Sequence, residues 1–275
     1  MKRTYINAFA PGLALAVALV CAACAGGGGK SGGSQTAVAA SRYAPAAPVR
    51  YGYKVVNTYP HNTSSYTQGL LWHNGYLYES TGLAGRSTIQ KVELQTGRIL
   101  QRHDLGGEYF GEGLALHGDK FYQLTWQSGR AFVYNLDFTP AGEFSYKGEG
   151  WGLTSDGTNL YMSDGTDCIY VLDPATFRRL RTIQVVTDRQ TVLYLNELEW
   201  IDGQIWANVY TSNLIVRIDP ATGHVAGMID LTVILPAEAV TPETDVLNGI
   251  AWDGRRVFVT GKNWSKLFEI ELTEK

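Results

Sequence analysis

The sequence predicts an all-β fold, a five-bladed β-propeller, and three observations support this prediction. Short strands rich in large apolar residues are separated by hairpin-type turns such as Asn74-Gly75 and Asp202-Gly203. Strands recur in sets of four, and the sets begin 39 to 51 residues apart, a spacing typical of propeller blades. Helical periodicity is scarce in the same region, so strands and turns account for most of the pattern.

The first 23 residues have the pattern of a secretion signal. Lys2 and Arg3 precede an apolar stretch of small residues that is too short to span a bilayer comfortably. Ala22-Ala23-Cys24 resembles a bacterial lipoprotein cleavage site, which would make Cys24 the lipidated first residue of the mature chain. Cys21 stands where such sites usually have Leu, so ordinary secretion is the alternative. Both interpretations predict an exported protein, either periplasmic or tethered to a bacterial membrane.

Residues 24–49 are predicted to be a flexible linker, because their Gly, Ser and Ala bury too little apolar surface to offset the entropy of ordering. Residues 50–275 form the predicted propeller domain. The chain has a formal net charge of −3 and no basic stripe, which argues against nucleic acid as a partner. Its five His and three Cys lack metal-ligand or disulfide spacing, so we expect no metal and no cofactor. We also expect the protein to be a monomer.

Five inner strands open the repeats, and they begin at Gly69, Gly113, Gly152, Leu198 and Gly249. The last repeat ends near Ile270 without a fourth strand, so we expect the strand at 53–57 to complete it and close the ring. Closure would remove the exposed edges of an open sheet. Longer insertions at 185–194 and 236–246 are expected to hold short helices or loops. A β-sandwich is the competing architecture, but it does not predict this register of repeats.

The register of the repeats brings two columns of side chains to one mouth of the predicted propeller. The residue before each inner-strand start is Gln68, Glu112, Trp151, Glu197 or Asn248, and Asn196 is the alternative to Glu197. The second strands run antiparallel to the first and end at the same mouth, at Gly82, Trp126, Gly165, Tyr210 and Lys262. Aromatic walls with a few convergent polar groups are typical of a small-molecule pocket. A purely structural interpretation makes the Trp residues interface packing and Glu112 and Lys262 an ion pair.

The chemistry of this rim is limited to one carboxylate, one ammonium and several amides. It contains no Ser–His pair, reactive Cys or metal cluster, which argues against a nucleophile supplied by the protein. Such a rim suits a reaction in which the substrate carries its own nucleophile and needs only orientation and proton transfer. The sequence leaves open whether Lys262 or Lys266 points inward, although the register favours Lys262.

Seven motifs follow one another through the repeats: Tyr66-Thr67-Gln68-Gly69-Leu70, Phe110-Gly111-Glu112-Gly113-Leu114, Leu124-Thr125-Trp126, Gly148-Glu149-Gly150-Trp151-Gly152-Leu153, Leu195-Asn196-Glu197-Leu198-Glu199-Trp200, Leu247-Asn248-Gly249-Ile250-Ala251-Trp252 and Val259-Thr260-Gly261-Lys262. Together they resemble the plant and bacterial type of glutaminyl cyclase, also called glutamine cyclotransferase. The resemblance runs from about Tyr53 to Glu271 and is specific, because every repeat contributes a motif.

The resemblance implies a five-bladed propeller that converts the N-terminal glutamine of peptides or proteins to pyroglutamate and releases ammonia. This is an aminoacyltransferase reaction without a catalytic metal. The site residues it implies are Glu112 as proton carrier, Lys262 and Asn196 at the amide oxygen with Gln68 as a further candidate, Phe110, Trp126 and Trp151 as walls, and Asn248 at the backbone. Tyr66 stands where the family often has Phe, and Tyr210 where some members have Trp. Both keep an aromatic wall, so these departures bear on substrate preference.

Two other functions remain open at the level of sequence. The first is a lipid-tethered propeller that binds peptides or glycans without chemistry, because a fold alone does not decide function. The second is a metal-dependent, lactonase-like propeller, which needs several carboxylates around one axial cation. The inner column offers only Glu112 and Glu197 for that role. A structural cation in the channel is also left open.

Overall fold

The fold is taken from a computed structural model, which describes residues 46–274. The predicted secretion signal, Cys24 and most of the predicted linker lie outside these residues. The described part contains twenty β-strands and one 3-10 helix (Ala237–Ala239). The strands are β1 (Val49–Pro60), β2 (Thr67–His73), β3 (Tyr76–Thr81), β4 (Thr88–Val92), β5 (Ile99–Asp104), β6 (Gly111–His117), β7 (Lys120–Thr125), β8 (Arg130–Asn135), β9 (Pro140–Ser145), β10 (Leu153–Ser155), β11 (Leu160–Ser163), β12 (Cys168–Leu172), β13 (Arg179–Gln184), β14 (Leu195–Ile201), β15 (Gln204–Val209), β16 (Leu214–Ile218), β17 (Val225–Asp230), β18 (Leu247–Trp252), β19 (Val257–Gly261) and β20 (Lys266–Glu274).

The strands assemble into three four-stranded sheets and one eight-stranded sheet. Strands β2–β5, β6–β9 and β10–β13 each form an antiparallel meander in sequence order. The eight-stranded sheet has the order β14-β15-β16-β17-β1-β20-β19-β18. It consists of two antiparallel groups of four, which meet where Val49–Tyr51 run parallel to Gly227–Ile229. The described chain is therefore an all-β, propeller-like assembly of four-stranded units.

The N-terminal strand completes the last unit, as the sequence predicts. β1 pairs antiparallel with β20 from Tyr51 opposite Glu274 to Pro60 opposite Lys266. This pairing covers the edge that β20 would otherwise expose to other chains. Because β1 and β20 lie at opposite ends of the described chain, their pairing ties these ends together.

The first strands of the four-stranded units contact one another in a closed order. β2 contacts β6, β6 contacts β10, β10 contacts β14, β14 contacts β18, and β18 contacts β2 again. Glycines permit this close approach: a Cβ on Gly69 would lie 2.5 Å from the backbone nitrogen of Leu114, and one on Gly152 would collide with the carbonyl of Asn196. The recurring glycine at the inner-strand starts is therefore a packing requirement.

Apolar clusters fill the space between neighbouring units. One cluster joins Ile169 and Val171 of β12 to Leu198 and Ile205 of the next unit, and similar clusters lie at the other junctions. Burying one such side chain contributes about 1.5–3 kcal/mol, so these junctions supply much of the driving force for assembly.

Hairpin turns between first and second strands follow the predicted chemistry. Asn74 and Gly75 have φ angles of 47° and 89°, and Asp202 and Gly203 have 48° and 77°, the two successive left-handed residues that a type I′ turn needs. The insertion at 236–246 contains the 3-10 turn. The insertion at 185–194 forms only isolated bridges from Val186 to Thr191 and His224 in the described structure. Within residues 46–274 no helix has the length and apolarity of a membrane span.

Candidate active site

The innermost strands carry the predicted polar residues on β-bulges. The pairing of first and second strands slips by one residue between Thr67 and Gly69, Gly111 and Leu114, Leu195 and Leu198, and Leu247 and Ile250. Each slip places an extra residue on the inner strand, a device that re-aims side chains at the end of a sheet. Gln68, Glu112, Asn196 and Asn248 all occupy these bulges.

Three of the four bulges, those of Gln68, Glu112 and Asn196, contribute lining residues to a cavity of about 270 Å³. Its lining residues are Tyr66, Gln68, Phe110, Glu112, Trp126, Trp151, Asn196, Tyr210 and Lys262. The structure thus brings together nine of the ten residues that sequence analysis assigned to catalysis or substrate binding. Asn248, the tenth, is fully buried and does not line the cavity.

Glu112 lines the cavity, and the residue is 4% exposed. The side-chain nitrogen of Gln68 donates a hydrogen bond of 2.9 Å to Oε1 of Glu112. Asn248 in turn donates to Gln68 Oε1 at 3.3 Å and to the carbonyl of Thr67 at 3.0 Å. Asn248 therefore orients Gln68, and through it Glu112, from behind the cavity wall.

Burial sets the proton affinity of Glu112. Loss of solvent raises its pKa well above the ordinary glutamate value, Lys262 opposes this rise, and the negative charge of Glu149 adds to it. A carboxyl group with a raised pKa can both accept and return a proton near neutral pH, which is what a proton carrier requires.

Lys262 is the cation of the cavity, and its residue is 3% exposed. Its Nζ lies 4.8 Å from the ring centre of Tyr66 and 5.1 Å from that of Tyr210, within the range of cation–π attraction. Within residues 46–274 no carboxylate oxygen lies within 4 Å of Nζ, so the ion pair with Glu112 that a structural interpretation requires is not formed. Burial lowers the pKa of Lys262, while Glu112 and Asp245 pull it upward.

Lys266 lies elsewhere. It opens β20 opposite Pro60 and is not among the cavity-lining residues, so the side chain favoured by the register is the one that points inward.

The turn after Lys262 is held between two loops. Its Asn263 donates from the backbone to Ser65 at 2.8 Å, and Lys262 donates from the backbone to Val246 at 2.9 Å. These bonds fix the backbone from which the Lys262 side chain extends into the cavity.

Asn196 and Glu197 share one bulge and face different surroundings. Asn196 lines the cavity, and its buried Oδ1 has no hydrogen-bond partner within the described residues. Its carbonyl accepts a 2.7 Å hydrogen bond from the hydroxyl of Ser163, which holds the bulge in place. Glu197 instead accepts backbone N–H bonds from Leu70 at 3.2 Å and Ile250 at 3.0 Å. It braces two neighbouring inner strands, so Asn196 is the member of the pair that a substrate can meet.

Edge-to-face aromatic pairs form the walls of the cavity. Phe110 contacts Tyr66 and Trp126 with ring centres 6.2 and 5.7 Å apart, and Trp151 contacts Tyr210 at 5.5 Å. Two glycines of the second column make room for these rings. A Cβ on Gly82 would collide with the ring of Phe110, and one on Gly165 would lie 2.6 Å from the ring of Trp151.

Two carboxylates at the rim were not foreseen from the sequence. Glu149 accepts hydrogen bonds from the indole nitrogens of Trp126 and Trp151, and Asp245 accepts one of 2.9 Å from the hydroxyl of Tyr66. Glu149 lies two residues before Trp151 in the motif Gly148–Leu153, so its closeness to a predicted cavity wall could have been inferred from the sequence. Asp245 sits in an irregular loop, and no local pattern identifies it.

Known proteins resemble this chain in both sequence and structure. Residues 30–272 match the glutamine cyclotransferase family. The chain is 41% identical over 228 residues to a glutaminyl-peptide cyclotransferase from Arabidopsis thaliana, covering 80% of this chain and 71% of that protein. The crystal structure of glutaminyl cyclase from Myxococcus xanthus superposes with a TM-score of 0.78 at 38% identity, covering 83% of this chain and 99% of the other. The chain therefore belongs to the glutamine cyclotransferase family.

Proposed function

We propose that the cavity converts the N-terminal glutamine of peptides or proteins to pyroglutamate and releases ammonia. The observation that carries this proposal is that one cavity with aromatic walls holds both the Lys262 ammonium, which forms no ion pair within the described residues, and the buried carboxyl of Glu112, whose pKa is raised. Among the described residues, the cavity lining contains no Ser, Thr or Cys, and the substrate's own α-amine can supply the nucleophile. Family membership supports the same reaction.

The reaction is an intramolecular acyl transfer. The α-nitrogen attacks the γ-carboxamide carbon, the new C–N bond closes a five-membered ring, and the bond to the amide nitrogen breaks. Glu112 takes a proton from the α-ammonium, which frees the lone pair, and delivers a proton to the leaving nitrogen, which departs as ammonia. The second proton lost by the α-nitrogen joins that ammonia in water as ammonium. Because the acyl group moves from one nitrogen to another, we assign the enzyme to the aminoacyltransferases.

Lys262 and Asn196 stabilise the oxygen of the tetrahedral intermediate. Both line the cavity without a competing hydrogen bond from their side chains to the described protein, so their donors are available where negative charge develops. Gln68 is committed to Glu112 and Asn248, which gives it the task of orienting the proton carrier. Phe110, Trp126, Trp151, Tyr66 and Tyr210 enclose the side chain and exclude water.

The scaffold is proposed to be a five-bladed propeller. The closed contact order of β2, β6, β10, β14 and β18 supports five units, with β18, β19, β20 and β1 as the fifth. A β-sandwich would not produce such a cycle. The eight-stranded sheet is then two adjacent blades bridged by the short parallel contact between β17 and β1.

We further propose that the enzyme acts outside the cytoplasm as a monomer. Residues 1–23 would direct export, and Cys24 would be the site of lipidation, with residues 24–49 as the tether. Labelling of cells with a radioactive fatty acid tests the tether: we expect label in the wild type and none in Cys24→Ser. Label in both proteins would contradict it. Light scattering of the purified protein tests the proposed oligomeric state, and we expect the mass of a single chain.

The experiment for the activity uses a peptide that begins with Gln and a second peptide whose α-amine is acetylated. We expect ammonia release and the matching mass loss only from the free amine, because acetylation removes the nucleophile. Binding without turnover would favour the binding module, and turnover abolished by a chelator would favour the metal-dependent alternative.

A further inference from the structure

The carboxylate of Glu149 connects the two aromatic walls of the cavity. Its Oε2 accepts hydrogen bonds from Trp126 Nε1 at 2.7 Å and from Trp151 Nε1 at 2.9 Å, and its Oε1 accepts one from Gln127 at 2.9 Å. Burial pushes the pKa of Glu149 upward, but these three hydrogen bonds outweigh it and hold the pKa below the ordinary value. The carboxylate is therefore charged at neutral pH and engaged on both oxygens.

The two indoles that it joins come from different units of the fold. Trp126 follows β7 in the second unit, whereas Trp151 lies two residues before β10 of the third. Trp126 is 37% exposed, and its ring contact is the edge-to-face pair with Phe110. A hydrogen bond at Nε1 restrains each indole in addition to its ring contact. Because one oxygen of Glu149 accepts from both indoles, the carboxylate links the two walls.

The same carboxylate also acts on Glu112 through its charge. Glu149 opposes ionisation of Glu112, in the direction opposite to Lys262. A substitution at Glu149 should consequently have two separable effects, one on the fit of the side chain between the walls and one on the pH range of proton transfer.

We propose that Glu149 is a positioning residue of the cyclisation: its carboxylate, hydrogen-bonded to both indoles, holds Trp126 and Trp151 at the separation that admits a glutamine side chain. The proposal rests on the glutamine cyclisation proposed above. Glu149 is not among the residues that line the cavity, so it would act through the two indoles.

The experiment compares Glu149→Ala and Glu149→Gln with the wild type and with Glu108→Gln. Glu108 is an exposed carboxylate of the loop before Phe110 that does not line the cavity, so this variant controls for loss of one negative charge. Loss of the charged acceptor should raise KM about tenfold in Glu149→Ala and less in Glu149→Gln, which keeps one acceptor oxygen, with kcat within about threefold. Near-ultraviolet circular dichroism should change in Glu149→Ala, because the two indoles lose their fixed planes.

The pH profile separates positioning from a purely structural role. Removal of the Glu149 charge lowers the pKa of Glu112, so the acid limb of kcat/KM should move to lower pH in both Glu149 variants and stay in place in Glu108→Gln. An additional test uses the background Trp126→Phe/Trp151→Phe, which lacks both indole N–H groups. There Glu149→Ala should leave KM unchanged while still shifting the acid limb.

Two results would overturn the proposal. One is an active wild type whose KM and acid limb are both unchanged in Glu149→Ala. The other is a Glu108→Gln variant that reproduces the shift of Glu149→Gln. Absence of glutamine cyclisation in the wild type would instead overturn the proposed reaction, so the two failures are distinguishable.

Discussion

Glu112 and Glu197 occupy equivalent bulges on two inner strands, and both are almost completely buried. Burial raises the pKa of both carboxyl groups well above the ordinary value. Their surroundings nevertheless differ. Glu112 receives one side-chain hydrogen bond and faces the cavity, whereas each oxygen of Glu197 accepts a backbone N–H from a different neighbouring strand. A raised pKa alone therefore does not identify a functional carboxyl group. The carboxyl group must also face a cavity that a substrate can enter, as Glu112 does and Glu197 does not.

The largest expected effect separates the two residues by activity. Glu112→Gln removes the proposed proton carrier and should lower kcat by about 100-fold or more, the usual scale for a lost general acid–base group. The cavity side chain is not needed to join strands, so the melting temperature should stay near that of the wild type. Ammonia release and calorimetry check both parts. A rate equal to the wild type would remove Glu112 from the mechanism.

Lys262→Met sharpens the account of the cavity charge. Loss of an oxyanion donor should lower kcat by about 100-fold. Because Lys262 holds down the pKa of Glu112, the acid limb of kcat/KM should also move to higher pH, opposite to the shift expected for Glu149 variants. Lys266→Met is the matched control, since Lys266 lies outside the cavity lining, and should behave as the wild type. An unshifted acid limb in Lys262→Met would show that the two groups are not coupled.

Glu197→Gln should affect stability instead of chemistry. An amide keeps one acceptor oxygen, so one of the two backbone N–H groups, of Leu70 or Ile250, is left without a partner. An unsatisfied buried N–H costs about 1–3 kcal/mol in the free energy of unfolding, while kcat should change less than about threefold. Urea unfolding and the ammonia assay test this pair of expectations. A Glu197→Gln variant with wild-type stability but lost activity would contradict the assignment of Glu197 to stability instead of chemistry.

The smallest effect concerns the pH dependence of stability. A carboxyl whose pKa is raised by folding keeps its proton in the folded state while the unfolded chain releases it. The contribution of Glu197 to stability should therefore be present below the ordinary glutamate pKa and be lost as pH rises through the folded value. Urea unfolding at several pH values should show a steeper decline for the wild type than for Glu197→Gln. Parallel curves would mean that Glu197 does not titrate in this way.

Sequence periodicity predicted the strand sets, the closing role of β1 and the convergence of the rim, because these follow from repeat spacing and the alternation of strands. It did not predict the bulges. A one-residue slip depends on pairing with the neighbouring strand, which is why Asn196 and Glu197 remained alternatives until the structure placed them. The family resemblance implied a role for Asn248 at the substrate backbone, whereas the structure puts Asn248 behind Gln68.

The roles of the two supporting carboxylates, Glu149 and Asp245, were harder to predict from the sequence. Glu149 acts through indole nitrogens that come from two units, and Asp245 through a hydroxyl that is 179 residues away in the chain. Such contacts depend on loop paths, for which residue spacing carries no rule. Glycines of the second column are an intermediate case. Gly82 and Gly165 were located at the rim, but their purpose, space for Phe110 and Trp151, is visible only in three dimensions.

The most direct test of the central claim follows the Glu112 carboxyl itself. Infrared difference spectra between the wild type and Glu112→Gln isolate the C=O stretch of its protonated form, and a pH series titrates it. We predict a band that persists well above the ordinary glutamate pKa and disappears over the same pH range in which kcat/KM rises. A band that vanishes in the ordinary glutamate range, or that titrates apart from kcat/KM, would contradict Glu112 as the proton carrier.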